Sequence, residues 1–130
     1  MAAFNPVRLL LDTHAVTWAL EGGRRLSPVA RTAIEDTGNE ILVSAVSAWE
    51  IAIKEAMGRL EAPDDLLTAI ERAGFIRRPL GFEEANHLVH LPRHHSDPFD
   101  RMLVAQALHD GIPIVTCDEQ IALYQVQIVW

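Results

Sequence analysis

Three short apolar runs constrain the fold of this chain most, because polar residues do not alternate with the apolar ones. The runs span residues 7–11, 40–43 and 113–117 and consist largely of leucine, isoleucine and valine. Strands with one solvated face alternate in polarity, whereas strands buried on both faces of a parallel sheet do not. Such a sheet needs helices on both faces, so the runs predict an α/β fold with a mainly parallel central sheet.

Helix boundaries occur between these runs. Ser27-Pro28 is typical of an N-cap followed by proline at the first helical position, and Gly38 predicts the end of that helix. Asp97-Pro98 predicts a second start, and Gly111 ends that helix. Further predicted elements are a helix from Asp64 and Asp65 to about Ala73, a short strand at 75–78 and a helix at 83–90. This alternation implies right-handed βαβ units, whose ligand sites lie at the carboxyl ends of the strands.

Length and composition indicate a compact, intracellular protein. The 130 residues favour a single domain, residues 1–130, and 49% apolar residues indicate a globular chain. The single cysteine, Cys117, permits no internal disulfide, so we expect a reducing compartment, the cytoplasm. No apolar run approaches the roughly 18 residues of a membrane span, so no membrane association is expected.

The net charge of −7 opposes contact with nucleic acid unless a bound cation or a local arginine surface compensates for it. The basic residues are ten arginines and one lysine, Lys54, and the planar guanidinium group suits phosphate contacts. Arg77, Arg78 and Arg101 are therefore candidate phosphate contacts, with solvated salt bridges as the alternative.

Two aspartates follow apolar runs directly. Asp12 comes after the first run and Asp118 after the last. If these strands are parallel neighbours, both carboxylates lie at the carboxyl edge of the sheet. Each residue has an alternative interpretation as the N-cap of the helix that follows its strand. Two unpaired carboxylates at close range repel each other, which favours a shared cation.

Glu50 also has two interpretations. Ser47 to Glu50 fits a capping box, and Glu50 with Lys54 is a favourable i,i+4 pair. Alternatively, Glu50 recurs at helical spacing with three apolar residues, Val46, Ile53 and Met57. A carboxylate at the edge of an apolar face needs a partner, and a cation supplies one.

Geometry separates the two acids of the segment 97–101. Proline keeps the preceding residue extended and fits the first helical position, so Asp97 is the predicted N-cap and Asp100 a first-turn residue. Asp100 then shares a helical face with apolar residues and is available to bind an ion. The predicted carboxylate cluster is Asp12, Glu50, Asp100 and Asp118. Oxygen ligands of this kind hold Mg²⁺ beside a phosphodiester.

The histidines suggest a different metal site. His87, His90, His94 and His95 lie close together in sequence and are conceivable zinc ligands. No cysteine joins them, and His94-His95 lies in a polar segment between two prolines, which favours a solvated loop. His14 follows Asp12 by two residues and is expected near the carboxylates.

Four segments, in order, carry a resemblance to a known family. They are Leu10-Leu11-Asp12-Thr13-His14, 44–51 (Ser-Ala-Val-Ser-Ala-Trp-Glu-Ile), 97–107 (Asp-Pro-Phe-Asp-Arg-Met-Leu-Val-Ala-Gln-Ala) and Thr116-Cys117-Asp118. The chain resembles PIN-domain ribonucleases over essentially its whole length. In order, spacing and length it is similar to VapC-type toxins of bacterial type II toxin–antitoxin pairs. Each motif alone is weak, but four in order within 130 residues are specific.

The resemblance implies a three-layer α/β/α sandwich and a metal-dependent endoribonuclease. It implies that Asp12, Glu50, Asp100 and Asp118 form the catalytic site, that Asp12, Asp100 and Asp118 bind Mg²⁺ or Mn²⁺, and that Thr116 supports them. It also implies an RNA substrate, a homodimer and a VapB-type antitoxin whose C-terminal segment covers the acidic pocket.

Two other classes remain for comparison. A phosphoacceptor receiver domain has a similar length and acids at strand ends, but it uses a lysine after a late strand, whereas Lys54 lies in a helix after an early one. A non-catalytic α/β interaction module, in which the acids are caps and surface charges, is the other alternative. Failure to bind any divalent ion favours that module.

Overall fold

The computed structural model describes residues 6–59 and 65–130. The strands are β1 (Arg8–Leu11), β2 (Glu40–Ser44), β3 (Ile76–Arg78), β4 (Ile114–Val115) and β5 (Ile128–Val129). The α-helices are α1 (Thr13–Leu20), α2 (Pro28–Glu35), α3 (Ala45–Ala56), α4 (Leu66–Arg72), α5 (Phe82–His87) and α6 (Pro98–Asp110). The strands form one sheet in the order β3-β2-β1-β4-β5, and every neighbouring pair is parallel.

The core lies on both faces of the sheet. One apolar cluster contains Leu10, Leu42 and Ile114 together with residues of α6. The other contains Leu9 and Leu11 together with residues of α1 and α2. Successive strand residues point to opposite faces, so the apolar runs without polar alternation are buried on both sides. The predicted three-layer α/β/α fold with a parallel sheet is confirmed.

The predicted helix boundaries are largely confirmed. Ser27 caps α2 by accepting the N–H of Ala30, and Asp97 caps α6. Helix α6 ends at Gly111, whose φ of +67° is a left-handed conformation that glycine adopts without steric cost. The prediction that Gly38 ends α2 is wrong. That helix stops at Glu35 because Asp36 is extended and its carboxylate accepts the N–H of Gly38.

The shorter predicted elements are also present. Residues 76–78 form β3, and 83–90 lie in α5 and a following 3₁₀ turn, Leu88–His90. Asp65 caps α4, while Asp64 lies outside the described residues. The structure adds α1 and β5 to the predicted elements. Strand β5 has two residues, too few for a recognisable pattern.

The strand order positions the candidate site. The chain leaves β1 towards β2 and β3, and later returns to the other side of β1 with β4. Ligands of open parallel sheets bind where the strand order changes direction in this way, at the carboxyl ends of the strands. Here that point lies between β1 and β4, which Asp12 and Asp118 follow. Across residues 6–59 and 65–130, no helix has the length and apolarity to cross a membrane.

Candidate functional site

Asp12 occupies the carboxyl end of β1 and is 4% exposed. Its backbone N–H donates to the carbonyl of Val115 at 3.1 Å, which extends the pairing with β4. Its Oδ1 accepts the N–H of Ala15 at 2.8 Å, so Asp12 is the N-cap of α1. Its Oδ2 accepts the hydroxyl of Thr116 at 2.5 Å. The N-cap interpretation is therefore right for one carboxylate oxygen, and the other points to the residues after β4.

Thr116 connects Asp12 and Asp118 at the place between β1 and β4 where the strand order changes direction, the switch point of the sheet. This fully buried hydroxyl donates to Asp12 and accepts the backbone N–H of Asp118 at 3.0 Å. Asp118 in turn accepts the N–H of Gln120 at 2.8 Å through Oδ1, which closes a turn after the strand. A single side chain thus sets the relative position of Asp12 and Asp118, while the supporting role of Thr116 in a catalytic site stays a prediction.

Glu50 is brought to the same edge by α3, and both of its oxygens have partners. Oε1 accepts the hydroxyl of Thr13 at 2.6 Å, and Oε2 lies 2.6 Å from Nζ of Lys54. The capping-box interpretation is wrong, because Ser44 caps α3 and Ser47 lies inside it. The predicted i,i+4 pair is present. Glu50 is thereby tied to the residue next to Asp12.

Of the three apolar residues predicted to share a buried face with Glu50, only Val46 is buried. Ile53 is 36% exposed and Met57 is 57% exposed. The buried residues of α3 all lie in its first seven positions, so the second half of the helix runs clear of the core. Glu50 therefore lies where the buried part of the helix ends.

Asp97 and Asp100 have the separate positions that proline geometry predicts. Asp97 Oδ1 accepts the N–H groups of Phe99 and Asp100 at 2.8 and 3.1 Å, as an N-cap does. Asp100 lies in the first turn of α6, with 19% of its side chain exposed. Further along α6, the buried Gln106 accepts the hydroxyl of Ser44 at 2.5 Å, which fixes the helix to the carboxyl end of β2.

His95 is the residue of this site that sequence reasoning missed. Its side chain is 10% exposed, and Nε2 lies 3.1 Å from Oδ2 of Asp100 and 3.0 Å from Oδ2 of Asp118. Its backbone N–H donates to the hydroxyl of Tyr124 at 3.1 Å. The expectation that His94-His95 is solvated is wrong for His95, because this contact turns the loop inward. A histidine two residues before the N-cap of a helix with an acid in its first turn was the available signal.

The hydrogen bonds of His95 define its tautomer. Nδ1 accepts the backbone N–H of Asp97 at 3.1 Å and therefore carries no proton. The ring proton is then on Nε2, which donates to the carboxylates of Asp100 and Asp118. A nitrogen that donates a proton has no lone pair for a metal. In this geometry His95 is a donor between two acids rather than a metal ligand.

Within residues 6–59 and 65–130, the candidate zinc ligands His87, His90 and His94 do not share a compact set of ligand atoms. His87 and His90 contact each other edge to face, His94 packs against Tyr124, and His14 is exposed and stacks on Trp18. In the described part of the chain, the compact set of possible ligand atoms, within 4.8 Å of one another, belongs to His95, Asp100 and Asp118.

The carboxylates of the site have unequal acidities. Burial, followed by the charge of Asp97, raises the pKa of Asp100 to about 7, and Glu50 and Asp118 add to this rise while His95 opposes it. Burial also raises the pKa of Asp12, against the hydrogen bond from Thr116. For Asp118 burial acts in the same sense, but the bonds from His95 and from the N–H of Gln120 outweigh it and lower the pKa. Burial is thus the main cause of the raised pKa values of Asp12 and Asp100, and neighbouring acids add to it.

A family model described as PIN domain matches residues 9–127. The chain belongs to the PIN-domain family. It is 31% identical over 116 residues to ribonuclease VapC22 of Mycobacterium tuberculosis, with 87% of this chain and 88% of that protein covered. It is therefore a VapC-type PIN domain.

Two solved structures resemble this PIN domain in fold. VapBC2 from Rickettsia felis, bound to a DNA fragment from their promoter, matches with a TM-score of 0.67 at 9% identity, covering 94% of this chain and 97% of that chain. PAE2754 from Pyrobaculum aerophilum matches with a TM-score of 0.55 at 15% identity, covering 94% and 83%. At these identities the likeness establishes the fold alone, so the roles of the individual acids stay predictions.

The residues of this PIN domain fit a divalent cation. The donors are carboxylate oxygens, which Mg²⁺ and Mn²⁺ accept as ligands. Burial, followed by the charge of Asp97, raises the pKa of Asp100 to about 7, and a cation bound beside the acids favours their ionised form. The carboxylates of Asp100 and Asp118 belong to the compact set and would hold it. Asp12 lies outside that set and is linked to Asp118 through Thr116, so its place as a third ligand stays a prediction.

The three candidate phosphate-binding arginines have different environments. Arg78 is a structural residue, because its guanidinium lies 2.8 Å from both Glu84 and Asp110 with 16% of the side chain exposed. Arg77 is exposed on β3. Arg101 follows Asp100 in α6 and lines a cavity beside His95. Of the three, Arg101 lies beside the acidic cluster.

Proposed function

We propose that this PIN domain is a metal-dependent endoribonuclease, the toxin of a VapBC-type toxin–antitoxin pair. The observation that carries the proposal is the grouping of Asp100 and Asp118 around His95 at the carboxyl edge of the sheet. Asp12 is joined to Asp118 through Thr116, and Glu50 contacts Thr13, the residue after Asp12. Burial and the charge of Asp97 raise the pKa of Asp100 to about 7, and Glu50 and Asp118 add to this rise. The relationship to ribonuclease VapC22 supports RNA as the substrate.

In this proposal Asp12, Asp100 and Asp118 bind Mg²⁺ or Mn²⁺. When bound, such an ion neutralises the scissile phosphate, lowers the pKa of a water molecule and stabilises charge on the reacting oxygens. The chain's own residues hold the carboxylates in place for it. Thr116 fixes Asp12 relative to Asp118, and His95 keeps Asp100 and Asp118 together by donating its Nε2 proton.

The water that attacks the phosphate needs an orienting acceptor. Both oxygens of Glu50 already contact neighbours, Thr13 and Lys54, and 6% of its side chain is exposed. Asp118 has 31% of its side chain exposed, and its Oδ2 faces the site. Both oxygens of Asp118 also have partners, the N–H of Gln120 and Nε2 of His95. Its greater exposure makes Asp118 the better placed of the two to orient water, while Glu50 positions α1 and Asp12 through Thr13.

The proposed partner is a VapB-type antitoxin that covers the acidic edge. Incompletely neutralised carboxylates accept a guanidinium as readily as a metal ion, so an arginine from the partner inhibits by occupying the same place. A homodimer of this chain is part of the same expectation. Co-purification of a small protein encoded beside this one, released by denaturant and restoring inhibition when added back, tests the partnership.

Cleavage of a cellular RNA pool tests the enzymatic proposal. The purified, partner-free protein is incubated with Mg²⁺ or Mn²⁺, with EDTA, and as Asp12→Asn. Asp36→Asn is the matched control, because Asp36 is an exposed acid that precedes β2 at the opposite edge of the sheet. We expect cutting that requires a metal, persists in the control and is lost in Asp12→Asn at unchanged circular dichroism.

The other outcome is equally informative. A folded, partner-free protein that cuts no RNA with either ion, and binds neither by calorimetry, is an interaction module whose acids are structural. The receiver-domain alternative has no support in the structure, because Lys54 is paired with Glu50 in α3.

A further inference from the structure

A cavity lined by basic residues adjoins the acidic cluster. It has a volume of about 370 Å³ and is lined by Arg93, His94, His95, Ser96, Arg101 and Gln120. We call it the arginine pocket. No carboxylate belongs to this lining. In a chain of net charge −7, two arginines around one cavity without an acid form a local reversal of charge.

Arg101 has an unused donor at this pocket. One terminal nitrogen donates to the carbonyl of Leu91 at 3.3 Å, a long hydrogen bond. Its Nε is buried and has no hydrogen-bond partner among the described residues. A buried donor of a charged group without a partner costs free energy, so the guanidinium of Arg101 keeps donor capacity that no described residue uses.

The arginines are not neutralised by neighbouring acids either. Within residues 6–59 and 65–130, none of the ion pairs includes Arg93 or Arg101. The nearest acids in sequence are Asp97, which caps α6, and Asp100, which contacts His95. Arg93 is exposed, so its guanidinium is open to a ligand.

The arginine pocket and the acidic cluster share a wall. His95 lines the pocket, and its Nε2 contacts the carboxylates of Asp100 and Asp118. Arg101 directly follows Asp100, and the backbone of Gln120 holds Asp118. An anion in the pocket is therefore next to whatever the acids bind. A ligand with neighbouring anionic groups, such as the phosphates of an RNA strand, suits two adjoining sites of this kind.

We propose that the arginine pocket binds the phosphate next to the one that is cleaved. The guanidinium fork of Arg101 and the charge of Arg93 contact its oxygens, as arginine does in phosphate sites. The inference rests on the proposed ribonuclease function for the source of the phosphate, but phosphate binding by the pocket does not depend on cleavage.

Inorganic phosphate is the first probe. Arg101 Nε–H is followed by nuclear magnetic resonance in the wild-type protein without divalent metal and assigned by its loss in Arg101→Lys. Phosphate should shift this resonance saturably, and Arg93→Gln should weaken the response. Arg24→Gln, which removes an exposed arginine outside the pocket, should not. A resonance that phosphate does not move overturns the proposal, whether or not the protein cuts RNA.

A parallel titration with acetate at equal ionic strength separates phosphate from carboxylate ligands. An equal response to acetate means that the pocket takes an acidic side chain of a protein partner, which contradicts the assignment to RNA. A response to phosphate alone supports it.

RNA cleavage then identifies the source of the phosphate. Arg93→Gln should raise KM at nearly unchanged kcat, and should reduce the slope of log KM against log salt by about 0.7, the value for one contact to single-stranded nucleic acid. Arg24→Gln should change neither. If phosphate binds but these parameters stay at wild-type values in Arg93→Gln and Arg101→Lys, the pocket lies off the RNA path and the proposal is wrong. If the wild-type protein cuts no RNA, the proposed function fails while the phosphate titration still decides the pocket.

Discussion

Two groups of partly buried carboxylates in this protein have opposite electrostatics. Glu84 and Asp110 surround the guanidinium of Arg78, and 2% and 13% of their side chains are exposed. Asp100 and Asp118 lie at the switch point of the sheet with 19% and 31% exposed. The pKa of Glu84 falls to about 2, because the bond from Arg78 and backbone N–H groups outweigh burial. Burial and neighbouring negative charge instead raise the pKa of Asp100 to about 7.

The difference shows what each group is for. Around Arg78 the chain supplies its own cation, so the acids stabilise the fold and join β3 to α5 and α6. At the switch point the chain supplies one imidazole for several acids and leaves room for a cation from solution. Substitutions that remove charge should therefore destabilise the first group and stabilise the second.

Arg78→Met should have the largest effect on folding. It leaves Glu84 and Asp110 without their cation, which costs about 3–5 kcal/mol of unfolding free energy. Urea denaturation at neutral pH measures this loss. Arg77→Met, an exposed neighbour on the same strand, should change stability by no more than about 0.5 kcal/mol. Equal changes in unfolding free energy for Arg78→Met and Arg77→Met would show that the ion pairs of Arg78 do not stabilise the fold.

Asp100→Asn should separate activity from stability. Loss of a predicted metal ligand should reduce RNA cleavage by about a hundredfold or more. Removal of an acid that repels its neighbours should raise the unfolding free energy at pH 7 by about 1 kcal/mol, after allowance for solvent screening. Cleavage assays and urea denaturation on the same preparation measure both. A variant that is less stable and fully active contradicts the assignment of Asp100.

Two substitutions of His95 should differ from each other. Gln places an amide donor where Nε2 lies, whereas Asn retains only an acceptor near Nδ1. We expect His95→Asn to weaken Mn²⁺ binding by about tenfold and His95→Gln to bind Mn²⁺ nearly as the wild type does. Mutation of a residue that hydrogen-bonds a metal ligand typically lowers metal affinity by about 10–100-fold. Calorimetric titration with Mn²⁺ measures the affinities. Stronger binding by Asn than by Gln would mean that His95 competes with the ion.

The smallest expected effect is the change with pH in the unfolding free energy of the metal-free protein. A pKa of about 7 in the folded state, above the ordinary value of 3.8, means that the folded protein binds more protons between these values. The contribution of Asp100 is therefore present below pH 4 and is lost as the pH rises through 7, by about 1 kcal/mol after screening. Glu84 acts in the opposite direction, and its contribution is lost as the pH falls from 4.5 towards 2. In Asp100→Asn, the loss of stability as the pH rises through 7 should become smaller. If that loss is unchanged, a group other than Asp100 causes it.

The positions of Asp12 and Asp118 could be predicted from the sequence, because the ends of parallel strands fix where the residues that follow them lie. Asp12 and Asp118 follow apolar strands, and parallel strands align their carboxyl ends at one edge of a sheet. Proline geometry likewise separated Asp97 from Asp100. The predicted strands, helices and edge positions therefore follow from local rules that hold in any α/β fold.

The missed features depend on contacts between distant segments. His95 lies in a loop with no periodicity, and its position depends on Tyr124 and Asp118, which are far away in sequence. The ion pair of Arg78 with Asp110 joins residues 32 positions apart, so the sequence left open whether Arg78 contacts RNA or forms a solvated salt bridge. The exposure of Ile53 and Met57 reflects where α3 leaves the core, which helical spacing does not encode.

The bond between Thr116 and Asp12 joins residues 104 positions apart in sequence. A ribosome therefore exposes the first acid of the site long before it has made the hydroxyl and the last acid that complete it. Chains released early, or still being synthesised, contain Asp12, Glu50 and even Asp100 without the arrangement that brings them together. Order of synthesis alone thus delays the proposed RNA-cutting centre until nearly the whole domain exists.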